Sequence, residues 1–323
     1  MIATMVGNYP KIANRPGGQS YRQAIHRLDR GEIDHAELAR VAEAVTREVI
    51  DEQVRAGLDL LTDGMIRWDD NQTYLARGLD GFAFSGLNRY FDTNTYFRQP
   101  VARSAIGWRG PVMVSDWQFA ASYSPQPIKA ILPGPFTLAK LSRSECHADL
   151  RSLALEVAEA VNQEARALAN AGAPLIQLDE PAITRNKDDW HICRVALAIA
   201  TEGVRAPLAL ATWFGDVLGL DGYFALPFQV FSLDFAQGPR NWDLLDGFPA
   251  DRSLGLGILD ARNVKMESVD HLAATLRRVA ARVAPERLHV HPSCGLEYLP
   301  REQAYAKLEL LVRAIRRTGE EAA

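Results

Sequence analysis

The sequence has little cysteine and no long apolar run, which argues against a disulfide-stabilised protein and against a membrane-spanning one. It has three cysteines, Cys146, Cys193 and Cys294. Because their number is small and odd, they do not indicate a disulfide framework. No apolar stretch approaches the roughly 20 residues that span a bilayer. The N-terminus also lacks the basic start and long apolar segment of a signal peptide. We therefore expect a cytoplasmic protein that does not insert into membranes.

The chain also lacks a strong charge of either sign. Its formal net charge is −4 and no basic cluster stands out, which argues against nucleic acid and anionic membranes as partners. With 47% hydrophobic and 24% charged residues, the composition is that of a folded domain and not of a disordered chain. Small-molecule substrates are the partners that this composition leaves.

What the sequence does contain is an alternation of short apolar runs and longer amphipathic segments. Most runs are apolar on both faces, as parallel strands covered by helices are. Glycine often follows the helical segments, as Gly57 does, and is a typical helix stop. The predicted helices include Ala36–Ala56, Leu150–Ala171, Val264–Ala284 and Arg301–Thr318. The predicted strands are Ile2–Gly7, Leu58–Asp63, Ile128–Leu132, Pro174–Asp179, Pro207–Thr212, Gln229–Phe235, Leu254–Leu259 and Leu288–His291.

Eight such strands alternating with helices predict an α/β fold, a single (β/α)8 TIM barrel domain over residues 1–323. An open doubly wound sheet is the alternative, but no G-x-G-x-x-G follows the first strand. Residues 82–127, between the second and third strands, are rich in aromatic and β-branched residues and predict a hairpin-like insertion. Loops of this length are usually lids or binding surfaces, although a packed decoration is equally compatible with the sequence.

Polar and apolar side chains alternate at the ends of three predicted strands. If the apolar residues face the helices, the polar ones face the barrel axis. Barrel interiors are normally filled by branched apolar residues, and barrel enzymes keep their chemistry at the C-terminal strand ends. We therefore predict an active site there. The inward-facing residues are Gln177, Asp179, Ser232, Asp234, His289 and His291.

Two further residues extend this candidate site. Glu180 follows Asp179 directly and could act with Asp234 in acid–base chemistry. Cys294 lies just beyond the last strand, close in sequence to two histidines, and could ligate a metal or act as a thiol. Its alternative is a small buried apolar residue, the commonest role of a free cysteine.

Several segments, taken in order, resemble the cobalamin-independent methionine synthase family. They are VGNYPK, AGLDLLTDG, ILPGPFTLAKLS, LIQLDEPAI and HPSCGL, and they extend from the first strand to the last. The resemblance implies a methyltransferase that moves a methyl group from a methyl-folate or methyl-corrinoid donor to a thiol such as homocysteine. It also implies that Asp179 holds the homocysteine amino group. Strand alternation and this resemblance together give the predicted site residues, which are Asp179, Glu180, Asp234, His291 and Cys294 for catalysis, and Gly7, Asn8, Asp63, Gln177 and Trp213 for substrate binding.

The sequence departs from this family at the zinc ligands. Trp213 and Gly215 stand where the family has His and Cys, Asp234 replaces a Glu, and Met65 stands where a substrate-binding Glu is expected. These departures place zinc in doubt and leave Cys294 and His291 as its candidate ligands. The co-substrates implied are methyl-folate or methylcobalamin.

Other segments resemble the zinc-free N-terminal barrel of the full-length enzymes. They are YFDTNTYF, TWFGD, SLDFAQGP and LGLGILDARNV. The alternative functions are therefore a barrel relative with changed chemistry, or a non-catalytic folate-binding subunit that pairs with a zinc-bearing barrel. A partner barrel subunit or a corrinoid protein would be the macromolecular partner.

Overall fold

The computed structural model describes residues 1–11 and 21–320, whose contacts group them into two compact units. The first unit comprises Met1–Arg67, Phe119–Ile128 and Leu256–Ala323, and the second comprises Trp68–Gln118 and Lys129–Gly255. The single domain predicted over residues 1–323 remains a prediction.

Strands and helices alternate along much of the described chain. The α-helices are α1 Tyr21–Asp29, α2 His35–Ala56, α3 Thr73–Gly78, α4 Val114–Tyr123, α5 Pro135–Leu141, α6 Leu150–Asn170, α7 Trp190–Thr201, α8 Val269–Ala280 and α9 Arg301–Glu320. The strands are β1 Ile2–Ala3, β2 Leu79–Arg89, β3 Tyr96–Trp108, β4 Ala130–Pro133, β5 Arg143–Ser144, β6 Ile176–Asp179, β7 Leu208–Ala211, β8 Val230–Asp234, β9 Ser253–Leu259 and β10 Leu288–Pro292. Among the described helices, none has the length and apolarity needed to cross a membrane.

The second unit contains a parallel sheet in the order β4, β6, β7, β8. Every residue of these four strands is buried, as expected for parallel strands covered on both faces. Pro133 pairs with Asp179, and Asp179 with Ala211, so the C-terminal strand ends lie at one edge. This edge carries several of the predicted site residues.

The second unit also contains a long hairpin. β2 pairs antiparallel with β3 from Leu79 opposite Trp108 to Arg89 opposite Tyr96, and β5 adds to β3 in parallel. Strands β2 and β3 and helix α4 occupy most of the range 82–127. The role of this region as a lid or binding surface remains a prediction.

In the first unit, β1 pairs in parallel with β10. The predicted strand Leu58–Asp63 is represented by two isolated bridges, in which Leu60 and Leu61 take part. The reason lies in α2: the Gln53 side chain donates to the Thr62 carbonyl at 2.8 Å and accepts from the Thr62 N–H at 2.9 Å. A side chain thus satisfies backbone groups that a sheet neighbour would otherwise pair.

Helix boundaries follow local capping groups. Asp34 caps α2 at its start, and Gly57 ends it with φ 89°, the left-handed conformation that favours glycine. Asp149 and Ser152 form a capping box at the start of α6. Ser268 caps α8, so this helix begins five residues after the predicted start at Val264.

Candidate functional site

Asp179, the last residue of β6, is linked to Lys129 through Gln177. Lys129 Nζ donates to Gln177 Oε1 at 2.7 Å, and Gln177 Nε2 donates to Asp179 Oδ1 at 2.7 Å. All three residues are buried. The direct bond between Gln177 and Asp179 places both side chains on the same face of β6.

Lys129, which directly precedes β4, is a part of this cluster that the sequence reasoning missed. Burial lowers the pKa of Lys129 to about 7, while the negative charge of Asp179 acts in the opposite direction. The available signal was a lysine next to a run of wholly apolar residues, where a charged group is costly unless it is paired.

Glu180 caps helix α5. Its Oε1 accepts from the Phe136 N–H at 2.8 Å, and its Oε2 accepts from the Thr137 N–H at 2.8 Å and the Thr137 hydroxyl at 2.7 Å. Burial raises the pKa of Glu180 to about 7 against these hydrogen bonds, which lower it. A Cβ at Gly134 would overlap the Glu180 side chain, so the cap requires glycine there. These contacts suit Glu180 to a positioning role.

Asp234, the last residue of β8, holds two neighbouring turns. Its Oδ2 accepts from the Phe214 N–H at 3.0 Å, and its Oδ1 accepts from the N–H groups of Ala236 at 2.9 Å and Gln237 at 2.8 Å. Phe214 has φ 68°, a backbone conformation that residues other than glycine rarely adopt. Asp234 thereby stabilises a strained backbone at the end of β7.

The rings of Trp213 and of the hairpin tip contact Phe214, in the turn that follows β7. Trp213 is buried, and its ring lies 6.3 Å from that of Phe214 between centroids. The rings of Phe91 and Tyr90, at the hairpin tip, lie 5.6 Å and 6.4 Å from Phe214. Arg185 Nε donates to the Phe214 carbonyl at 2.9 Å. Within the second unit, the hairpin tip therefore packs on the turn that follows β7.

In the first unit, Gly7 and Asn8 are held by backbone contacts beyond β1. The Gly7 carbonyl accepts from the Thr62 hydroxyl at 2.9 Å, and the Asn8 carbonyl accepts from the Leu296 N–H at 2.9 Å. Asn8 Nδ2 also donates to Glu297 Oε1 at 3.3 Å. Asn8 thus joins the end of the first strand to the segment that follows β10.

The remaining predicted residues of the first unit are Asp63, which follows the bridged residues Leu60 and Leu61, and His291 and Cys294, in and after β10. Asp63 Oδ1 accepts from the Met65 N–H at 2.9 Å and so shapes the turn that contains Met65. His291 and Cys294 are both buried. His291 Nδ1 lies 2.7 Å from the Pro292 carbonyl, and Cys294 Sγ lies 3.5 Å from the carbonyl of the next residue.

The structure thus groups the predicted site residues by unit. Their catalytic and substrate-binding roles, and their meeting in one site, remain predictions. The second unit holds Gln177, Asp179, Glu180, Trp213 and Asp234, and the first holds Gly7, Asn8, Asp63, His291 and Cys294.

The residues do not fit a tetrahedral zinc centre of the family type. Within residues 1–11 and 21–320, no three His, Cys, Asp or Glu side chains are grouped as a metal site requires. Trp213 and Gly215 offer no side-chain ligand, and the carboxylate of Asp234 is engaged by three backbone N–H groups. No cluster in the described chain therefore supports zinc at Cys294 and His291.

Comparison with known proteins relates nearly the whole chain to one family. Residues 1–317 match the family described as "Cobalamin-independent synthase, Catalytic domain". The methionine synthase of Saccharolobus solfataricus is 32% identical over 322 residues, which cover 98% of this chain and 95% of that protein. The methionine synthase of Sulfurisphaera tokodaii is 31% identical over 320 residues, covering 98% and 92%.

Solved structures show the fold. A B12-independent methionine synthase from Shewanella sp., in complex with selenomethionine, superposes with a TM-score of 0.83 at 22% identity, covering 99% of this chain and 98% of that one. A methyltransferase from Methanosarcina mazei gives a TM-score of 0.63 at 13% identity, with coverage of 97% and 94%. The predicted α/β fold of the TIM-barrel type is thereby confirmed.

Proposed function

The chain belongs to the cobalamin-independent methionine synthase family, and from that premise we propose that it transfers a methyl group from a methyl-folate to the thiol of homocysteine. That it is a methyltransferase enzyme follows from the family and its relatives. In the proposed reaction the thiol loses its proton, a sulfur–carbon bond forms, the nitrogen–carbon bond of the donor breaks, and the donor nitrogen takes a proton.

The observation that carries the proposal is the position of Asp179. It ends β6 at the C-terminal edge of the parallel sheet, where α/β enzymes of this type place their chemistry. The hydrogen bond that Gln177 donates favours the ionised form of the Asp179 carboxylate and opposes the effect of burial, which favours the neutral form. An ionised carboxylate would suit an ammonium group. We assign Asp179 to the amino group of homocysteine.

The other predicted residues serve binding and alignment in this proposal. Glu180 and Asp234 fix α5 and the turn after β7, beside Asp179 and Trp213. Because the residues do not fit a zinc centre, no step is assigned to a metal. Holding two reactants in an aligned geometry itself supplies a large part of the barrier reduction in bimolecular reactions.

The test is methionine formation by the purified protein with homocysteine and either methyltetrahydrofolate or methylcobalamin, measured by mass spectrometry. We expect methionine from methyltetrahydrofolate, and a loss of about 30- to 100-fold in kcat/KM for Asp179→Asn, because a buried charge-assisted hydrogen bond is removed. Asp221→Asn, at an exposed position, is the matched control.

Two other outcomes would change the assignment. Methionine formed only from methylcobalamin would show that the donor is a methyl-corrinoid. Methionine formed only after a zinc-bearing barrel of the same family is added would show that this chain acts as a partner subunit.

A further inference from the structure

Hydrogen-bond direction fixes how the buried amide of Gln177 is oriented. A lysine amine donates through its N–H groups in either protonation state, and its charged form has no acceptor at all. Lys129 therefore faces the amide oxygen, at 2.7 Å, and the amide NH2 group is left to face Asp179, also at 2.7 Å. An amide turned the other way would set its oxygen against the Asp179 carboxylate, and its NH2 group against the lysine.

We propose that Lys129 is a positioning residue that acts through Gln177 to hold Asp179 ionised and correctly oriented for the ammonium group of homocysteine. This inference rests on the proposed function of Asp179. Donation from the amide NH2 favours the ionised carboxylate, whereas an amide oxygen in its place would favour the protonated acid. Lys129 itself need not touch the substrate.

The burial of Lys129 supports this role. Only 5% of Lys129 is exposed, and residues Ala130–Pro133 that follow it are wholly buried. Placing a lysine in such surroundings costs free energy that an apolar side chain would not. Packing alone does not require an amine there, whereas control of the Gln177 amide does.

The test compares the binding of two ligands by isothermal titration calorimetry under reducing conditions. One is L-homocysteine, and the other is 4-sulfanylbutanoate, which is homocysteine without its amino group. The ratio of their dissociation constants measures recognition of the ammonium group. The proteins are the wild type, Lys129→Met, Asp179→Asn and the double variant. Lys140→Met, at a half-buried lysine paired with Asp189, is the control.

We expect the wild type to prefer homocysteine and Asp179→Asn to lose that preference. Lys129→Met should reduce the preference about 10-fold, while its affinity for 4-sulfanylbutanoate, which reports an intact fold, stays within about threefold. In the double variant the lysine substitution should add nothing to the loss from Asp179→Asn, because Lys129 acts through Asp179. Additive losses would overturn the inference.

The same binding data distinguish an error in the role of Lys129 from an error in the role of Asp179. Wild-type protein that binds neither ligand, or binds both equally, would overturn the role of Asp179. A wild type that prefers homocysteine, with the full preference kept in Lys129→Met, would overturn the role of Lys129 alone. If Lys129→Met does not fold, Gln177→Leu removes the same link at nearly constant volume, and a preference unchanged in that variant would contradict the inference equally.

Discussion

Thr137 donates two hydrogen bonds to one oxygen of Glu180, from its backbone N–H at 2.8 Å and from its hydroxyl at 2.7 Å. The other oxygen accepts from Phe136, so donors of α5 meet both sides of the carboxylate. In Glu180→Gln an NH2 group must face one of these donors. We expect the free energy of unfolding to fall by about 1–3 kcal/mol, measured by urea denaturation. The exposed Glu202→Gln is the control, and a loss of equal size there would contradict the explanation.

The buried amine of Lys129 should make stability depend on pH. Burial lowers its pKa from 10.5 to about 7. Between these values the unfolded chain holds a proton that the folded protein has released, so the free energy of unfolding rises with pH, by at most about 1.4 kcal/mol per pH unit. Lys129→Met should lack this rise.

The measurement is urea denaturation of both proteins at about pH 7, 8 and 9. The difference in unfolding free energy, wild type minus variant, should increase with pH. Burial of Glu180 raises its pKa from 4.5 to about 7, so its effect on the free energy of unfolding falls mainly below pH 7. A difference that is constant from pH 7 to 9 would rule out a lowered pKa for Lys129.

Asp234→Asn should destabilise the turns that its carboxylate holds. The substitution removes the negative charge of a carboxylate that accepts hydrogen bonds from three backbone N–H groups. It also leaves at least one of these N–H groups facing an NH2 group. Hydrogen bonds to charged acceptors contribute about 1.5–3 kcal/mol each, so a loss of about 2–3 kcal/mol in unfolding free energy is expected. Chemical denaturation of Asp234→Asn beside the exposed Asp243→Asn tests this. Comparable stability of the two variants would be the contrary result.

The three cysteines should differ sharply in reactivity. Cys146 is exposed and its Sγ lies 3.2 Å from His147 Nδ1, whereas Cys193 and Cys294 are buried. In the native protein an aromatic disulfide reagent should modify Cys146 rapidly and the other two only after unfolding, as followed by absorbance and peptide mass mapping. Rapid native labelling of Cys294 would show that the segment after β10 opens to solvent. Cys146→Ser provides the blank.

The fold was largely predictable from the sequence because most of its strands are short apolar runs. The runs that correspond to β4 and β7 are apolar on both faces, and those of β6 and β8 are apolar on one face and polar on the other. The segment Leu58–Asp63 shows the limit of that reasoning. Its composition is that of a strand, but Gln53, nine residues away in sequence from Thr62, takes the backbone groups of Thr62. Composition alone does not reveal which side chain will satisfy a backbone group.

The candidate site was less accessible to sequence reasoning. Alternation along β6 predicted that Gln177 and Asp179 share a face, and their hydrogen bond agrees with that. Alternation does not identify Lys129, because its partner Gln177 lies on another strand and becomes known only with the sheet register. The backbone contacts that engage the carboxylates of Glu180 and Asp234 are likewise not visible in the sequence.

The ring contact between Phe91 and Phe214 has a practical consequence. Trp213 is the chain neighbour of Phe214 and its indole lies edge-on to the same phenyl ring. Any shift of the hairpin tip would alter the surroundings of that indole. The intrinsic fluorescence of Trp213, obtained by comparing the emission of the native protein with that of Trp213→Phe, should therefore report movement of the hairpin tip without an added dye.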